Sequence, residues 1–380
     1  MSRPYFILSP CGTSLLTNGT GPDLRKIINL HSNAISEQAV VTASPHDHRL
    51  IRDHLAAVER KIAAADVACA KEFSAELNGI LSLYDGVIEG RQGDFQQLLC
   101  TDTWLGEEAA KLVRQWLTGK GFVADLRRQS DLRTVDVASF QVALSDLVTW
   151  CDEVVDGFRK SHRVVFNLTG GFKSIQGFLQ TLAQFYADET IYIFETGNEL
   201  LRLPRLPLQM SADETVRQHL SAFRRLALGL KVEPALIENI PETLLIRSDD
   251  QVCLSPWGDL VWAQTKKTLY ASEVFPPDGV TELLVLGKDF NKSVAGLEAN
   301  RILIINERID DLILFLEEKK TGKSEPHNPA SLDFKKLSGS PKPPSTHECD
   351  AWADQDAKRL YGHFDEGGRF SLDCLGKHLK

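Results

Sequence analysis

Apolar positions in the first half of the chain fall into short runs separated by stretches with a three- to four-residue period. Tyr5–Ser9 is such a run, ending in Pro10-Cys11-Gly12, and Gln38–Ala43 is another, ending at Ser44-Pro45. From Asp47 to about Tyr84 the apolar spacing is that of one long helix or two. Phe95–Cys100 reads as a strand, and Thr103–Leu117 as a helix with Glu107 and Glu108 in its first turns and Gly119 closing it. Phe122–Leu126 is strand-like, Asp136–Phe158 helical, Arg163–Leu168 a buried strand, Phe172–Tyr186 a helix and Thr190–Phe194 a final strand. Strands alternating with helices require crossover connections, hence a mostly parallel sheet covered on both faces. Residues 1–208 therefore read as a Rossmann-like α/β domain.

The rhythm breaks at Leu203-Pro-Arg-Leu-Pro-Leu208, which marks a boundary. Short helices around Ala212–Leu228 and Pro234–Asn239, strand character over Thr243–Leu254 and a helix over Trp257–Ala271 make 209–279 a small winged-helix-like linker domain. Pro276-Pro277-Asp278-Gly279 is a turn and a second boundary. Residues 280–380 then give a strand (Leu283–Leu286), a helix from near Asp289 to Glu318, and a Pro/Gly/Ser/Lys-rich stretch interrupted by Leu332–Leu337. Three strand-like runs close the chain, His347–Trp352, Lys358–Phe364 and Arg369–Leu375. Strand, helix and antiparallel meander make an α+β plan.

Composition narrows the function. Of the 380 residues, 43% are hydrophobic and 25% charged, which excludes wholesale disorder. The start, MSRPYFILSP, lacks the basic region and long apolar stretch of a signal peptide, and no apolar run is long enough to span a membrane. Seven scattered cysteines without a CxxC pair read as reduced thiols in a cytoplasm, with neither a disulfide framework nor a zinc site. Net charge is −9, and residues 281–380 hold 15 basic and 17 acidic side chains. No broad cationic surface is available for duplex nucleic acid, so no specific DNA partner is expected.

Two segments share one chemical logic. Ser9-Pro-Cys-Gly-Thr-Ser-Leu-Leu-Thr-Asn18 follows the first strand, and Asn167-Leu-Thr-Gly-Gly-Phe-Lys-Ser174 follows a later one and opens a helix. Glycines at the carboxyl end of a parallel strand permit close backbone approach, and N–H groups at a helix start favour anions. Lys173 adds a point charge for phosphate. Phe172 separates the glycines from Lys173 and the leading glycine is missing, so the second segment is not an ATPase phosphate loop. Together with DTWLGEEAAKLVRQWL and IFETGNELLRLPRLP, the two segments resemble the CARF domain, the CRISPR-associated Rossmann fold, over residues 1–208. The resemblance implies a homodimer that binds cyclic oligoadenylate, with the tetra-adenylate ring the expected form, as an allosteric activator rather than a cofactor. It puts Thr13, Ser14, Thr169, Gly170, Gly171, Lys173 and Ser174 on the ring. It also allows slow ring cleavage, with Ser14 and Lys173 at the ribose and phosphate.

The last segment offers Lys335 and Lys336, His347, Lys358 with Arg359, His363, and Lys377 with His378. A metal-free ribonuclease needs a base for the 2′-hydroxyl, an acid for the leaving 5′-oxygen and cations for the phosphorane. GKDFNKSV, INERIDDL, FKKLSG, AKRLYGHFDE and LGKHLK are similar to RelE-superfamily toxins, ribosome-dependent mRNA interferases. That resemblance implies Arg359 as the transition-state cation and His378 as a functional residue at the last strand, with Lys335, Lys336, His347 and Lys377 as further candidates and no metal. The strand His347–Trp352 departs from the family, carrying Glu348 and Asp350 in place of a lysine pair. The whole chain thus resembles a CARF–RelE effector acting on ribosomes and mRNA. Two rivals remain at this stage. One is a ligand-responsive transcription regulator using Arg217, Arg224 and Arg225; the other is a ring nuclease whose last domain is a non-catalytic interaction module.

Overall fold

The computed structural model describes residues 3–91, 93–133, 135–194, 197, 199–206, 213–248, 251–337 and 342–377. The chain divides into two compact units, Met1–Gln209 and Met210–Lys380. The second unit contains both the 209–279 and the 280–380 segments. Among the described residues no helix is long and apolar enough to cross a membrane.

In the first unit five strands run parallel: β1 (Tyr5–Cys11), β2 (Phe95–Cys100), β3 (Val123–Arg128), β4 (Arg163–Asn167) and β5 (Glu189–Ile193). The sheet order is β3-β2-β1-β4-β5-β6, with β6 (Leu200–Pro204) antiparallel on the edge. Central strands are continuous apolar runs because helices cover both faces: β1 is buried from Phe6 onward and β4 from Val164. The edges are polar or exposed, as unpaired strands must be. β6 lies partly within the sequence read as a boundary. Arg202 clamps it to β5 by donating to both oxygens of buried Glu189, at 2.8 and 2.7 Å.

The run Gln38–Ala43 is helical. Ser36 caps the helix Glu37–Ala43 through the Ala39 N–H, and Ser44 with Pro45 at once opens the next, Pro45–Ala63. Asp66 and Ser74 in turn cap Val67–Phe73 and Ala75–Leu83. Three capped helices therefore stand over Asp47–Tyr84, where periodicity shows one or two, because an apolar period carries across a cap that keeps the same face inward.

The second unit begins with helices Asp213–Gln218 and Leu220–Ala227, a two-stranded ribbon of β7 (Leu245–Ser248) and β8 (Gln251–Leu254), and the helix Pro256–Ser272. A second sheet follows, ordered β10-β11-β12-β13-β9. Its strands are β9 (Leu284–Leu286), β10 (Lys335–Lys336), β11 (His347–Trp352), β12 (Lys358–Phe364) and β13 (Phe370–Lys377). β10 to β13 are antiparallel neighbours and β9 joins β13 in parallel. The expected helix from Asp289 breaks at Gly296, whose φ of +77° no helix accepts, and resumes as Ala299–Lys320. Ile305, Ile309, Leu312 and Leu316 of that helix pack on Cys349, Leu360, Phe370 and Leu372, leaving the other sheet face to polar residues.

The helix Leu220–Ala227 is locked to Ala299–Lys320 by buried Arg224. Its Nε and Nη2 donate to Asp310 Oδ1 at 2.9 and 2.6 Å, and Tyr270 Oη donates to Asp310 Oδ2 at 2.5 Å. Asn306 adds Nδ2 bonds to the carbonyls of Tyr270 and Glu273 and accepts from the Phe275 N–H. A buried arginine is tolerable only with such full satisfaction. The network ties the two sequence segments of the second unit to each other.

Candidate functional site

In the first unit the strand order reverses at β1, whose neighbours are β2 on one side and β4 on the other. At such a point the loops leaving the two strands turn to opposite faces and open a crevice at their carboxyl ends. The loops are 12–18 after β1, with the helical turn Ser14–Thr17 inside it, and 168–173 after β4. They touch: a Cβ placed on Gly12 would stand 3.1 Å from Gly171 O, and Gly171, at φ +94°, lies against Pro10. A cavity of about 140 Å³ beside Gly12 is lined by Thr13, Asn33, Thr103, Arg133 and Phe172.

The loops are tied together from below by a residue absent from the sequence-derived candidates. Glu76, 1% exposed, accepts the N–H of Gly12 at 3.0 Å and of Gly171 at 3.2 Å on Oε1, and the Ser74 hydroxyl at 2.7 Å on Oε2. Those two amides are therefore engaged by a carboxylate within the protein and do not stand free for phosphate. Asn167 continues the tie: its Nδ2 donates to Ser9 Oγ at 3.1 Å and to the Glu76 carbonyl at 2.9 Å. Gly79 lets this helix approach, since a Cβ there would fall 2.0 Å from Asn167 Oδ1. The available sequence signal was a carboxylate inside the buried stripe that continues through Gly79, Ile80 and Leu83.

The expected ligand residues separate into two groups. Lys173 and Ser174, at the first turn of the helix Lys173–Tyr186, are exposed, and Thr13 lines the cavity. Gly170 packs on the Glu76 side chain and Gly171 on Pro10. The Thr169 hydroxyl turns inward toward Gly79. Ser14 Oγ and Thr169 Oγ1 are buried without a hydrogen-bond partner among the described residues.

In the second unit the polar sheet face gathers alternate residues of three strands. Arg359, Tyr361 and His363 of β12 stand beside Glu348 and Asp350 of β11, and Ser371 and Asp373 come from β13. Arg359 is the hub. Nη1 donates to Glu348 at 2.6 Å and Nη2 lies 3.1 Å from Asp350 and 3.9 Å from Asp333; Arg359 and Glu348 are 13% and 4% exposed. Lys335 on β10 pairs with Asp333. The two cations assigned to phosphate thus already face three carboxylates. The acidic residues of β11, where the sequence departs from the toxin pattern, are the partners of Arg359.

His347 and Lys336 pair with each other in register and belong to the opposite, helix-packed side. The His347 ring stacks on Phe334 at 5.4 Å and meets Phe364 and Phe370 edge-on. Burial, with Lys319 and Lys336 nearby, holds its imidazole below the ordinary histidine range. Lys377, exposed at the end of β13, faces Lys358. The structure therefore brings Lys335 and Arg359 together and leaves His347, Lys336 and Lys377 apart from them. His378 lies outside the described residues. Among those residues no three His, Cys, Asp or Glu side chains converge to hold a metal.

Two of the three arginines that a DNA-binding reading requires are engaged elsewhere. Arg224 is buried against Asp310, and Arg225 donates to the carbonyls of Lys231 and Val280.

Fold and loops define the first unit as a doubly wound α/β unit with a paired-loop crevice at its switch point. Residues 71–206, just over a third of the chain, match the family described as CRISPR-associated protein (Cas_APE2256). No curated protein matches the chain.

Proposed function

We propose that this chain is a CRISPR-associated effector in which cyclic oligoadenylate bound by a homodimer of residues 1–208 activates a ribosome-dependent endoribonuclease in the last segment. The observation that carries this reading is that the CRISPR-associated match runs through the helix Ala75–Leu83 and the loop 168–173, the segments that meet at Glu76. In this reading Lys173, Ser174 and Thr13 meet the phosphates and riboses of the ring. Buried Ser14 Oγ, which has no hydrogen-bond partner among the described residues, supplies a hydroxyl for slow ring cleavage.

In the nuclease reaction a base takes the 2′-hydroxyl proton, the 2′-oxygen attacks the neighbouring phosphorus and the P–O5′ bond breaks, leaving a 2′,3′-cyclic phosphate. Arg359 stabilises the phosphorane once phosphate displaces Asp350 or Glu348 from its guanidinium. The carboxylates hold the cation in place until RNA arrives.

The test uses purified full-length protein with cyclic tetra-adenylate. Ring binding and ring integrity are followed for wild type, Ser14→Ala and Lys173→Ala, and mRNA ends are mapped on translating ribosomes with and without ligand. Weakened binding or ring cleavage in the variants and ligand-dependent mRNA cuts are the expected results. Ring breakdown with no mRNA cutting would favour the ring-nuclease reading, and unchanged binding and turnover in both variants would rule out the loop assignment.

A further inference from the structure

Arg359 and Lys335 are cations, and neither can take a proton from a 2′-hydroxyl at neutral pH while each is held by carboxylates. These two cations therefore leave the proton acceptor of the polar face to another residue. His347 does not fill the gap, because its ring is packed among Phe334, Phe364 and Phe370 on the other side of the sheet. Among the described residues, the histidine on the polar sheet face is His363.

His363 lies on the same strand face as Arg359 and Tyr361, at the alternate positions of β12. Its Nδ1 is bonded to Asp373 Oδ2 at 2.9 Å. That bond engages one ring nitrogen and leaves Nε2, on the far side of the ring, for a second partner. Asp373 is itself held: Ser345 Oγ donates to Oδ2 at 2.7 Å, and Ser371 Oγ stands 3.5 Å from Oδ1.

The backbone is arranged to make this contact. Tyr361 pairs with Cys374 and Gly362 with Leu372, so Asp373 is the extra residue of a β-bulge in β13. A bulge turns a side chain out of the regular pleat and toward a neighbour it would otherwise miss. Here it aims a carboxylate at the imidazole. Gly362 belongs to the same device, since a Cβ there would meet Ser371 O at 2.4 Å and the Phe370 ring at 2.6 Å. His363 is 28% exposed and Asp373 13%, so the carboxylate is sheltered and the imidazole is reachable. Among the described residues, the charged groups nearest this pair on the same sheet face are Lys342, whose Nζ lies 3.6 Å over the Tyr361 ring and near Gly376, and Arg359 farther along β12.

Resting on the nuclease reading above, the geometry points to His363 as the general base of the reaction, with Asp373 as its positioning residue. Asp373 fixes the tautomer with the proton on Nδ1 and the ring angle, leaving Nε2 unprotonated and turned away from the carboxylate. Nε2 takes the proton of the 2′-hydroxyl. The 2′-oxygen forms the new bond to phosphorus, and the 5′-oxygen departs with its electron pair and takes a proton from water. The hydroxide so formed takes the proton back from Nε2, which restores His363 and the water and balances atoms and charge.

The experiment uses the full-length chain with cyclic tetra-adenylate and mRNA on translating ribosomes, reading initial cleavage rate against pH. His363→Gln is expected to lower the rate by about 100-fold or more, the usual contribution of a positioned proton acceptor. Its thermal midpoint should stay near that of wild type, because the side chain is part-exposed. Asp373→Asn is expected to lower the rate less and to move the acidic limb of the wild-type pH profile, whereas a merely structural carboxylate would change stability and leave that limb in place. Wild-type rate in a folded His363→Gln protein would overturn the inference while leaving the nuclease reading intact. Absence of any mRNA cleavage by the wild-type protein, with ligand bound, would overturn both.

Discussion

Glu76 and Arg359 solve the same problem in opposite ways. A charge removed from water costs several kcal/mol unless hydrogen bonds or an opposite charge replace its hydration. Glu76 is answered by two backbone amides and a hydroxyl, Arg359 by Glu348 and Asp350. Truncating Glu76 to Ala strands three donors around a buried space, and the expected loss is about 3 kcal/mol in urea unfolding. Glu76→Gln keeps an acceptor and should lose less. Equal stability of the Ala variant and wild type would show that the two loops are not held this way. Arg359→Ala leaves Glu348 buried and unpaired, which typically costs about 3–5 kcal/mol. Adding Glu348→Gln to that variant should restore part of the loss, and a double-mutant cycle in guanidinium measures it. A cycle with zero coupling would contradict the pairing. Activity data for Arg359→Ala therefore need the stability of the same variant beside them.

At the scale of elements, the caps decide what periodicity leaves open. The alternation of strands and helices over residues 1–208 was legible because buried parallel strands are unbroken apolar runs. The helix Glu37–Ala43 was not, since Ala39-Val40-Val41 matches a strand as well as a helix and only Ser36 and the Ser44-Pro45 pair settle it. β6 was hidden because its Leu-Pro-rich end resembles a linker, and its pairing depends on Arg202 reaching Glu189, a long-range contact that no local pattern records. The bulge at Asp373 and the inward turn of Glu76 are of the same kind. The cationic residues of the last segment were legible as types, but their partners were set by sheet register.

The helices Glu37–Ala43 and Pro45–Ala63 are joined through Glu37, which receives Arg52 and, at 2.6 Å, His48 Nε2. Arg52 first, then His48, hold the Glu37 carboxyl down to about 2 from its ordinary 4.5. A carboxyl whose folded value is depressed stabilises the fold fully above its unfolded value, and that contribution disappears as pH falls from about 4.5 toward 2. The Glu37 and Arg52 side chains are more than a third exposed, so solvent screens the effect. Comparing thermal midpoints of wild type and Glu37→Gln from pH 6 to 3 should show their difference shrinking with acid. A constant difference would contradict the pairing.

For the whole molecule, charge bears on how the proposed nuclease would find its substrate. The chain carries −9 and its last hundred residues are near neutral, while Lys335 and Arg359 already face carboxylates. Such a surface gains little from releasing counterions around RNA, so free RNA should bind poorly and with a shallow salt dependence. The ribosome would then supply the mRNA geometry and part of the docking surface. The most direct measurement is the initial cleavage rate of one mRNA by full-length protein, with and without cyclic tetra-adenylate, on translating ribosomes and as naked RNA at low and moderate salt. The account predicts rapid cutting only where ligand and ribosome are both present, with little change between the two salts. Efficient cutting of naked RNA at moderate salt, or equal cutting without ligand, would contradict it.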